Sequence, residues 1–257
     1  MVPLNSYTAL VVLSVCVGLA LALWQTRDWN LLTGALIMGA CALLLGRVGY
    51  VALHGDYFAN NVNQILSLAS PGYQEHAALA GGCIGYWLLA KRHSPIANSQ
   101  WPLVLCASLI DIAASFGCIS HSCAYGREVF WQSSSERSLA WLLAVDWPDA
   151  YGISNPRLPT QLFMAGWLAL VGVFMAIWAA KGARGRRSKG EASSSLIRSP
   201  APLLSWLLLF ALGDFAIQFA RADATLTWAG LRAEQWADVV FGALAAAGIV
   251  QTRLRKK

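Results

Sequence analysis

Seven long apolar segments dominate this sequence and decide what it can fold into. They cover residues 6–24, 32–53, 76–90, 101–118, 160–180, 201–219 and 235–251. A helix needs about 20 predominantly apolar residues to cross the hydrocarbon core of a bilayer. Charged residues make up 12% of the chain, about half of what a soluble domain carries. The pattern predicts an all-α integral membrane protein, with seven transmembrane helices in a single membrane domain over residues 1–257.

The distribution of Lys and Arg predicts the orientation of these helices. If the amino terminus lies outside, the cytoplasmic segments contain 13 of the 19 basic residues. Positive charge is retained on the cytoplasmic side of a membrane, so we expect the carboxyl terminus in the cytoplasm. Residues 181–200 then form a basic cytoplasmic loop that sets the topology and offers contacts to lipid headgroups. Because aromatic residues are not interleaved with this charge, nucleic acid is not an expected partner.

Two long loops, 54–75 and 119–159, then lie on the outer face, and both are rich in Trp, Tyr and Phe. Amphipathic aromatic rings favour the headgroup level of a bilayer. Loops of this length are usually either functional or disordered. We therefore expect short interfacial helices in both loops and look for the functional residues there.

A cluster of sulfur and imidazole groups begins the second loop. Cys118, His121 and Cys123 could ligate zinc, but the spacing C-x2-H-x-C lacks an obvious fourth ligand, and no metal is expected. A disulfide between Cys118 and Cys123 is an open alternative because the outer face is oxidising.

Three ionisable residues stand out within or beside the apolar segments. His76 opens the third segment, where it is either a hydrogen-bonded residue of a helix end or a functional group. Asp111 and Asp214 fall inside segments, and a carboxylate at the bilayer centre costs about 2.5–3.5 kcal/mol on insertion scales. We expect both carboxylates to face the bundle interior and to have partners, with Arg47 and Arg221 as candidates for Asp214.

Six motifs resemble, in order and spacing, those of the prolipoprotein diacylglyceryl transferase family, and together they cover nearly the whole chain. They are "SYTAL", "GRVGY", "YFANNVNQILSLASPGYQEHAALAGG", "GCISHSCAYGR", "RLPTQLF" and "FAIQFARADATLTWAGLRAEQW". In the third motif the family pattern contains G-G-x-[SA]-x-H-G-G-x-x-G, and its histidine corresponds to His76. The resemblance also implies seven spans with the amino terminus outside.

Members of this family move the diacylglyceryl group of phosphatidylglycerol onto the lipobox cysteine of a preprolipoprotein and release glycerol phosphate. This chemistry needs a thiolate from a thiol whose pKa is near 8.5, cations for the phosphate and an apolar cavity for the acyl chains. The resemblance implies no cofactor, and it implies a multi-pass protein of the bacterial cytoplasmic membrane. Its expected partners are a phospholipid and a preprolipoprotein.

The resemblance also implies roles for individual residues. His76 takes the place of the essential histidine, as a base or a polarising group in a lipid-accessible cavity. The other predicted catalytic residues are Tyr7 and Arg127. The predicted substrate-binding residues are Arg47, Tyr125, Gly126, Gln161 and Arg221, together with Ser115 and Asp214 at positions where the chain departs from the family.

The departures remove positive charge. Ser115 replaces the arginine that opens the outer-loop motif, and the pattern R-x-x-x-E-x-x-R of the sixth segment is here Asp214, Gln218 and Arg221. A lost cation that pairs with a buried phosphate typically costs about 2–5 kcal/mol. Two alternatives to an active transferase are therefore kept: a catalytically diverged subunit of a larger membrane complex, and a different lipid-modifying enzyme.

Overall fold

The structure, a computed structural model, describes residues 6–65, 72–91, 100–130, 142–187 and 201–254. It is mostly helical, and each predicted apolar segment coincides with a helix. The helices are α1 (Ser6–Thr26), α2 (Asn30–Leu53), α3 (Gly55–Ala59), α4 (Glu75–Lys91), α5 (Gln100–His121), α6 (Thr160–Arg187), α7 (Ala201–Gln218) and α8 (Ala233–Leu254). A 3₁₀ turn spans Val62–Gln64.

Six of these helices are long and apolar enough to cross a membrane, namely α1, α2, α5, α6, α7 and α8. Helix α4, which forms the third predicted span, has 17 residues. At 1.5 Å per residue it is about 25 Å long, which is shorter than the ~30 Å hydrocarbon core of a typical bilayer. The chain is thus a mostly helical, multi-pass membrane protein, and the count of seven spans and their orientation stay predictions.

The described part of the second long loop carries a β-hairpin, which the sequence did not predict, while residues 131–141 lie outside the described ranges. Strands β1 (Val145–Pro148) and β2 (Ser154–Arg157) pair antiparallel. The turn between them is built on Asp149, whose carboxylate accepts hydrogen bonds from the backbone N–H groups of Tyr151 and Ile153. Such local bonds from a short acidic side chain compete with helix formation and favour turns. A second small hairpin pairs β3 (Thr227–Trp228) with β4 (Leu231–Arg232).

The chain divides into two compact units. The first consists mainly of residues 19–102 and is built on the packing of α4 against α2. Glycines make this close approach possible. A Cβ atom on Gly81 would lie 2.3 Å from the carbonyl oxygen of Cys41, and one on Gly85 would lie 2.9 Å from the Cα of Met38. The short α4 is therefore held by backbone-to-backbone contact with its longer neighbour.

The second unit contains the start of α1, most of α5, both hairpins, and α6 to α8. Its core is centred on α7, where Trp206 and Phe210 are buried and their rings stack 5.5 Å apart. The indole N–H of Trp206 donates to the hydroxyl of Ser108 on α5 over 2.8 Å. Because the buried polar atom has a partner, the aromatic pair joins the two helices without an unsatisfied donor.

Candidate functional site

The segment that follows α5, residues 124–129, lies between two other segments of the second unit and bonds to both. The backbone N–H of Arg127 donates to the carbonyl of Ala220 over 2.8 Å, while its carbonyl accepts from the N–H of Leu158 over 3.1 Å. The carbonyl of Tyr125 accepts from the N–H of Ala222 over 2.9 Å. The Tyr-Gly-Arg motif is therefore fixed on both sides, as a central strand would be.

Gly126 is required by this arrangement. A Cβ atom at this position would lie 2.1 Å from the carbonyl oxygen of Leu158, far inside van der Waals contact. Gly126 also forms an isolated bridge with Arg221. The glycine of the motif is explained by the close approach of three backbone segments, so it shapes the site through the backbone alone.

Two side chains at the start of α6 also hold this segment. Gln161 is buried, and its amide donates to the carbonyl of Cys123 over 2.8 Å. The hydroxyl of its neighbour Thr160 donates to the carbonyl of Ala124. Gln161 therefore positions the loop, and direct binding of substrate by this residue stays a prediction.

Cys118 and Cys123 form a disulfide at the end of α5, which decides the alternative that the sequence left open. Beyond it, Ser122 and Ala124 both have a left-handed backbone, with φ values of 52° and 53°. Residues other than glycine rarely adopt this conformation, and it persists only where the surroundings enforce it. The covalent bond and the contacts of α6 supply that constraint, so the loop is tightly held before the motif begins.

Tyr7 on α1 packs against the same end of α5. A Cβ atom on Gly117 would lie 2.5 Å from Cδ2 of Tyr7, and the ring stands edge-on to His121 with centroids 6.1 Å apart. The second unit thus places the predicted catalytic Tyr7 beside the disulfide loop. Its role in catalysis stays a prediction.

The two positions that lack the family arginines are satisfied locally. Ser115 donates its hydroxyl hydrogen to the carbonyl of Asp111 in its own helix over 2.9 Å. Asp214 is buried on α7, and its carboxylate accepts a hydrogen bond of 3.0 Å from the amide of Gln218, which is also buried. Residues four apart on a helix face each other, so Asp214 and Gln218 form a polar pair on one side of α7.

Arg221 belongs to a charged network beyond the end of α7. Its guanidinium donates to both carboxylate oxygens of Asp223. Arg232 also donates to Asp223, over 3.2 Å, and lies 3.7 Å from Glu234. Burial acts to lower the pKa of Arg221, but the hydrogen bond and the charge of Asp223 outweigh it and raise that pKa. Two arginines and two carboxylates therefore neutralise each other here.

Arg157, at the end of β2, anchors a second network. Its Nη2 lies 2.6 Å from Glu128 and 2.9 Å from Asp149, and its guanidinium carbon lies 5.2 Å from the centre of the Tyr125 ring. Burial would raise the pKa of Asp149, but two backbone N–H donors and the charge of Arg157 lower it overall. Burial, followed by the charges of Asp149 and Asp223, raises the pKa of Tyr125.

Arg127 differs from the other arginines of the predicted outer segments. Its side chain is exposed, and no residue in the described part of the chain forms an ion pair or side-chain hydrogen bond with it. The described outer arginines Arg157, Arg221 and Arg232 are all paired with carboxylates. Within the described ranges, Arg127 is therefore the outer-loop cation that is available to an anionic ligand.

An open apolar depression of about 380 Å³ lies between the second hairpin and the start of α8. It is lined by Leu226, Thr227, Trp228, Ala233, Trp236 and Val240. The indole N–H of Trp236 donates to the carbonyl of Trp228 over 3.0 Å, which removes a polar group from the lining. A hydrocarbon chain is the chemistry that such a surface accepts.

In the first unit, Arg47 is a buried anchor of the loop after α2. It donates from three nitrogens to the backbone carbonyls of Gln64, Ile65 and Gly72. The rings of Tyr50, Phe58 and Tyr73 surround the guanidinium at 5.3–6.0 Å. This geometry is that of a structural clamp, and substrate binding by Arg47 stays a prediction.

His76 lies in the first turn of α4 and is buried, with 3% of its surface exposed. Its Nδ1 lies 3.4 Å from the side-chain amide nitrogen of Gln74. A buried imidazole with a defined neighbour on one nitrogen is held in one ring orientation, which is what a catalytic histidine requires. The role assigned to His76 by resemblance stays a prediction.

Sequence analysis missed the residues that fix the predicted ones. These are Gln74, Glu128, Asp149, Thr160, Asp223 and Arg232. All but Asp149 and Arg232 lie within two residues of a predicted site residue, and that nearness was the only sequence signal. Those two lie in segments whose pairing no pattern revealed.

Comparison of the sequence with known proteins identifies a family. The sequence profile described as prolipoprotein diacylglyceryl transferase matches residues 1–251. Phosphatidylglycerol–prolipoprotein diacylglyceryl transferases from two strains of Streptococcus pneumoniae are each 25% identical to the chain over 89% of its length, covering 84% and 83% of their own lengths. No solved structure matches. The chain belongs to the prolipoprotein diacylglyceryl transferase family.

Proposed function

We propose that this protein transfers the diacylglyceryl group of phosphatidylglycerol to the lipobox cysteine of preprolipoproteins. Family membership supports the reaction class, and the similar streptococcal proteins are named for these substrates. The observation that carries the proposal is Arg127, an exposed guanidinium on a segment that backbone bonds fix on both sides. The phosphate of the leaving group needs a cation, and Arg127 carries one on a fixed backbone segment.

In the proposed reaction, the lipobox sulfur forms a bond to the glyceryl carbon that carries the phosphate. The bond between that carbon and the phosphate oxygen breaks, and glycerol phosphate leaves with the electron pair. The thiol proton ends on the departing phosphate. Arg127 stabilises the negative charge that develops on the leaving oxygen, and the family resemblance assigns His76 the role of a base or polarising group. The open apolar depression beside Trp228 and Trp236 suits an acyl chain.

The substituted positions are compatible with this proposal. The family arginine and glutamate of the sixth segment are four residues apart, so they would face each other on a helix. Asp214 and Gln218 preserve a hydrogen-bonded pair at those positions, over 3.0 Å. Both members of the family's arginine–glutamate pair are replaced in this chain. The loss of the arginine therefore does not leave a buried glutamate without its counter-ion. Phosphate binding then depends on Arg127.

The variant Arg127→Gln tests this role. Loss of the cation should lower transfer from phosphatidylglycerol to a lipobox peptide by at least about 30-fold, which corresponds to the ~2 kcal/mol lower limit for such contacts. Arg27→Gln is the matched control, because Arg27 is also exposed and lies in the short loop between α1 and α2. Equal activity of both variants would remove Arg127 from the mechanism.

The unmodified protein provides the decisive measurement of function. Purified in mild detergent with phosphatidylglycerol, it should convert a lipobox peptide into its diacylglyceryl thioether, which mass spectrometry detects. A folded protein that produces no thioether would refute the transferase proposal. If partner proteins then copurified with it stoichiometrically, the protein would instead be a subunit of a membrane complex.

We further propose that the chain forms one seven-span domain in the bacterial cytoplasmic membrane, with α4 as the short third span. The amino terminus lies outside, and residues 181–200 lie on the cytoplasmic side. The charge distribution supports this orientation. Cysteines introduced at positions 140 and 190 should differ in intact cells, with only position 140 labelled by an impermeant reagent. The opposite pattern would reverse the orientation.

A further inference from the structure

Gln74 is fixed at the start of α4 by contacts at both of its ends. Its backbone N–H donates to the carbonyl of Gly46 on α2 over 2.9 Å. Its side-chain Oε1 accepts from the backbone N–H of Ala77, the third residue of α4. Gln74 thus occupies the capping position, where a side-chain oxygen satisfies one of the unpaired N–H groups of a helix.

This cap determines which atom of Gln74 faces His76. The oxygen and nitrogen of a side-chain amide are similar in shape, and their assignment depends on their hydrogen bonds. A backbone N–H can only donate, so the atom beside Ala77 must be the oxygen. The amide nitrogen therefore faces Nδ1 of His76 at 3.4 Å. Because an amide NH₂ group is only a donor, Nδ1 must be the nitrogen that accepts.

We propose that Gln74 is a positioning residue that holds neutral His76 in the tautomer protonated on Nε2. An imidazole has one protonated nitrogen when neutral, so an accepting Nδ1 leaves the proton on Nε2. Such a histidine acts through Nε2 as a hydrogen-bond donor. This inference rests on the proposed function and selects the polarising role of His76 over the role of a base acting through Nε2.

Gln74 is a feature of this chain beyond the family pattern. The pattern quoted above has Ser or Ala two residues before the histidine, where this chain has Gln74. Serine can cap the helix with its hydroxyl oxygen, but it has no amide nitrogen to place against Nδ1. The chain therefore offers two informative variants. Gln74→Ser keeps a capping oxygen and removes the amide NH₂ donor. Gln74→Glu keeps the size and the capping oxygen and replaces the NH₂ donor with a carboxylate acceptor.

The test is the protonation of the two ring nitrogens, measured by NMR on protein labelled with ¹⁵N-histidine in detergent micelles. The chain has four histidines, so a His76→Asn variant identifies the signals of His76. Above the pH at which the ring becomes neutral, His76 should show an unprotonated Nδ1 and a protonated Nε2. In Gln74→Glu the carboxylate should attract the proton to Nδ1 and reverse the pattern, and in Gln74→Ser the preference should weaken.

Two results would overturn this inference. One is a protonated Nδ1 in the unmodified protein, and the other is an unchanged tautomer in a Gln74→Glu variant whose circular dichroism shows intact helices. The measurement does not require turnover, so it is independent of the proposed reaction. If the tautomer is as expected and transfer is absent, only the proposed function fails. If both hold, Gln74→Glu should lower kcat by on the order of 10²-fold with little change in KM, and Gln74→Ser should lower it less.

Discussion

Replacement of Asp214 and Gln218 on α7 by the arginine and glutamate of the family pattern should reveal strong energetic coupling between positions 214 and 218. Asp214→Arg alone removes the hydrogen bond from Gln218, which bridges 3.0 Å between buried atoms. A hydrogen bond to a charged group contributes about 1.5–3 kcal/mol. The new guanidinium would face the neutral amide of Gln218, whose Oε1 can accept a hydrogen bond but supplies no negative charge.

The size of the effect follows from this mismatch. The lost hydrogen bond sets the scale, so we expect Asp214→Arg to lower the free energy of unfolding by about 1.5–3 kcal/mol. Adding Gln218→Glu places a carboxylate four residues away on the same helix face, where an ion pair can form. The double variant should recover most of the loss, which gives a coupling energy of about 1.5–3 kcal/mol.

The assay is unfolding of the purified protein in mixed micelles with increasing SDS, followed by far-ultraviolet circular dichroism. Asp214→Arg, Gln218→Glu and the double variant complete the cycle with the unmodified protein, and Arg27→Gln on an exposed loop serves as the control. If the effects of the two substitutions simply added within about 0.5 kcal/mol, the two side chains would not act as a pair. The argument that the family pair was replaced jointly would then be wrong.

Four further predictions concern activity and stability. Asp214→Arg combined with Ser115→Arg restores both family arginines, and transfer to a lipobox peptide should rise if cations limit the rate; a fall in a folded protein would contradict this. Gly126→Ala should abolish transfer and lower the melting temperature, because its Cβ atom would lie 2.1 Å from a carbonyl oxygen; unchanged melting would show that the loop adapts. Cys118→Ser should cost roughly 2 kcal/mol of unfolding free energy for so short a loop, with reduction of the unmodified protein as the matching measurement. Folding lowers the pKa of Asp149, so the stabilisation of the fold by its carboxylate is present above the pKa of the unfolded state and is lost as pH falls below about 4. In melting temperatures measured against pH, Asp149→Asn should reduce this loss of stability in acid.

The helices could be predicted because membrane insertion imposes a length and a composition that the sequence displays openly. Predicted segment 101–118 became Gln100–His121, and segment 235–251 became Ala233–Leu254. The hairpin Val145–Arg157 could not be predicted in the same way. It depends on a turn organised by the single carboxylate of Asp149, which leaves no periodic signal.

The candidate site shows a similar division. Motif spacing selected Arg221 and Gln161, but it could not show how each is held. Their contacts with Asp223 and with the carbonyl of Cys123 arise only once the chain is folded. A motif specifies which residue type stands at a position, whereas the charge that this residue can offer to a ligand depends on partners elsewhere in the chain. That dependence makes Arg127 distinctive among the described arginines of the predicted outer loops.

The clamp around Arg47 implies an order in which the loops come apart in acid. Three of its hydrogen bonds go to backbone carbonyls, which carry no titratable proton. The hairpin near Arg157, in contrast, depends on the carboxylates of Glu128 and Asp149. As pH falls, amide hydrogen exchange should therefore accelerate earlier at the hairpin than at the described residues of the loop after α2. Acid would in this way produce a partly opened protein, in which the hairpin near Arg157 has opened and the loop held by Arg47 is still folded.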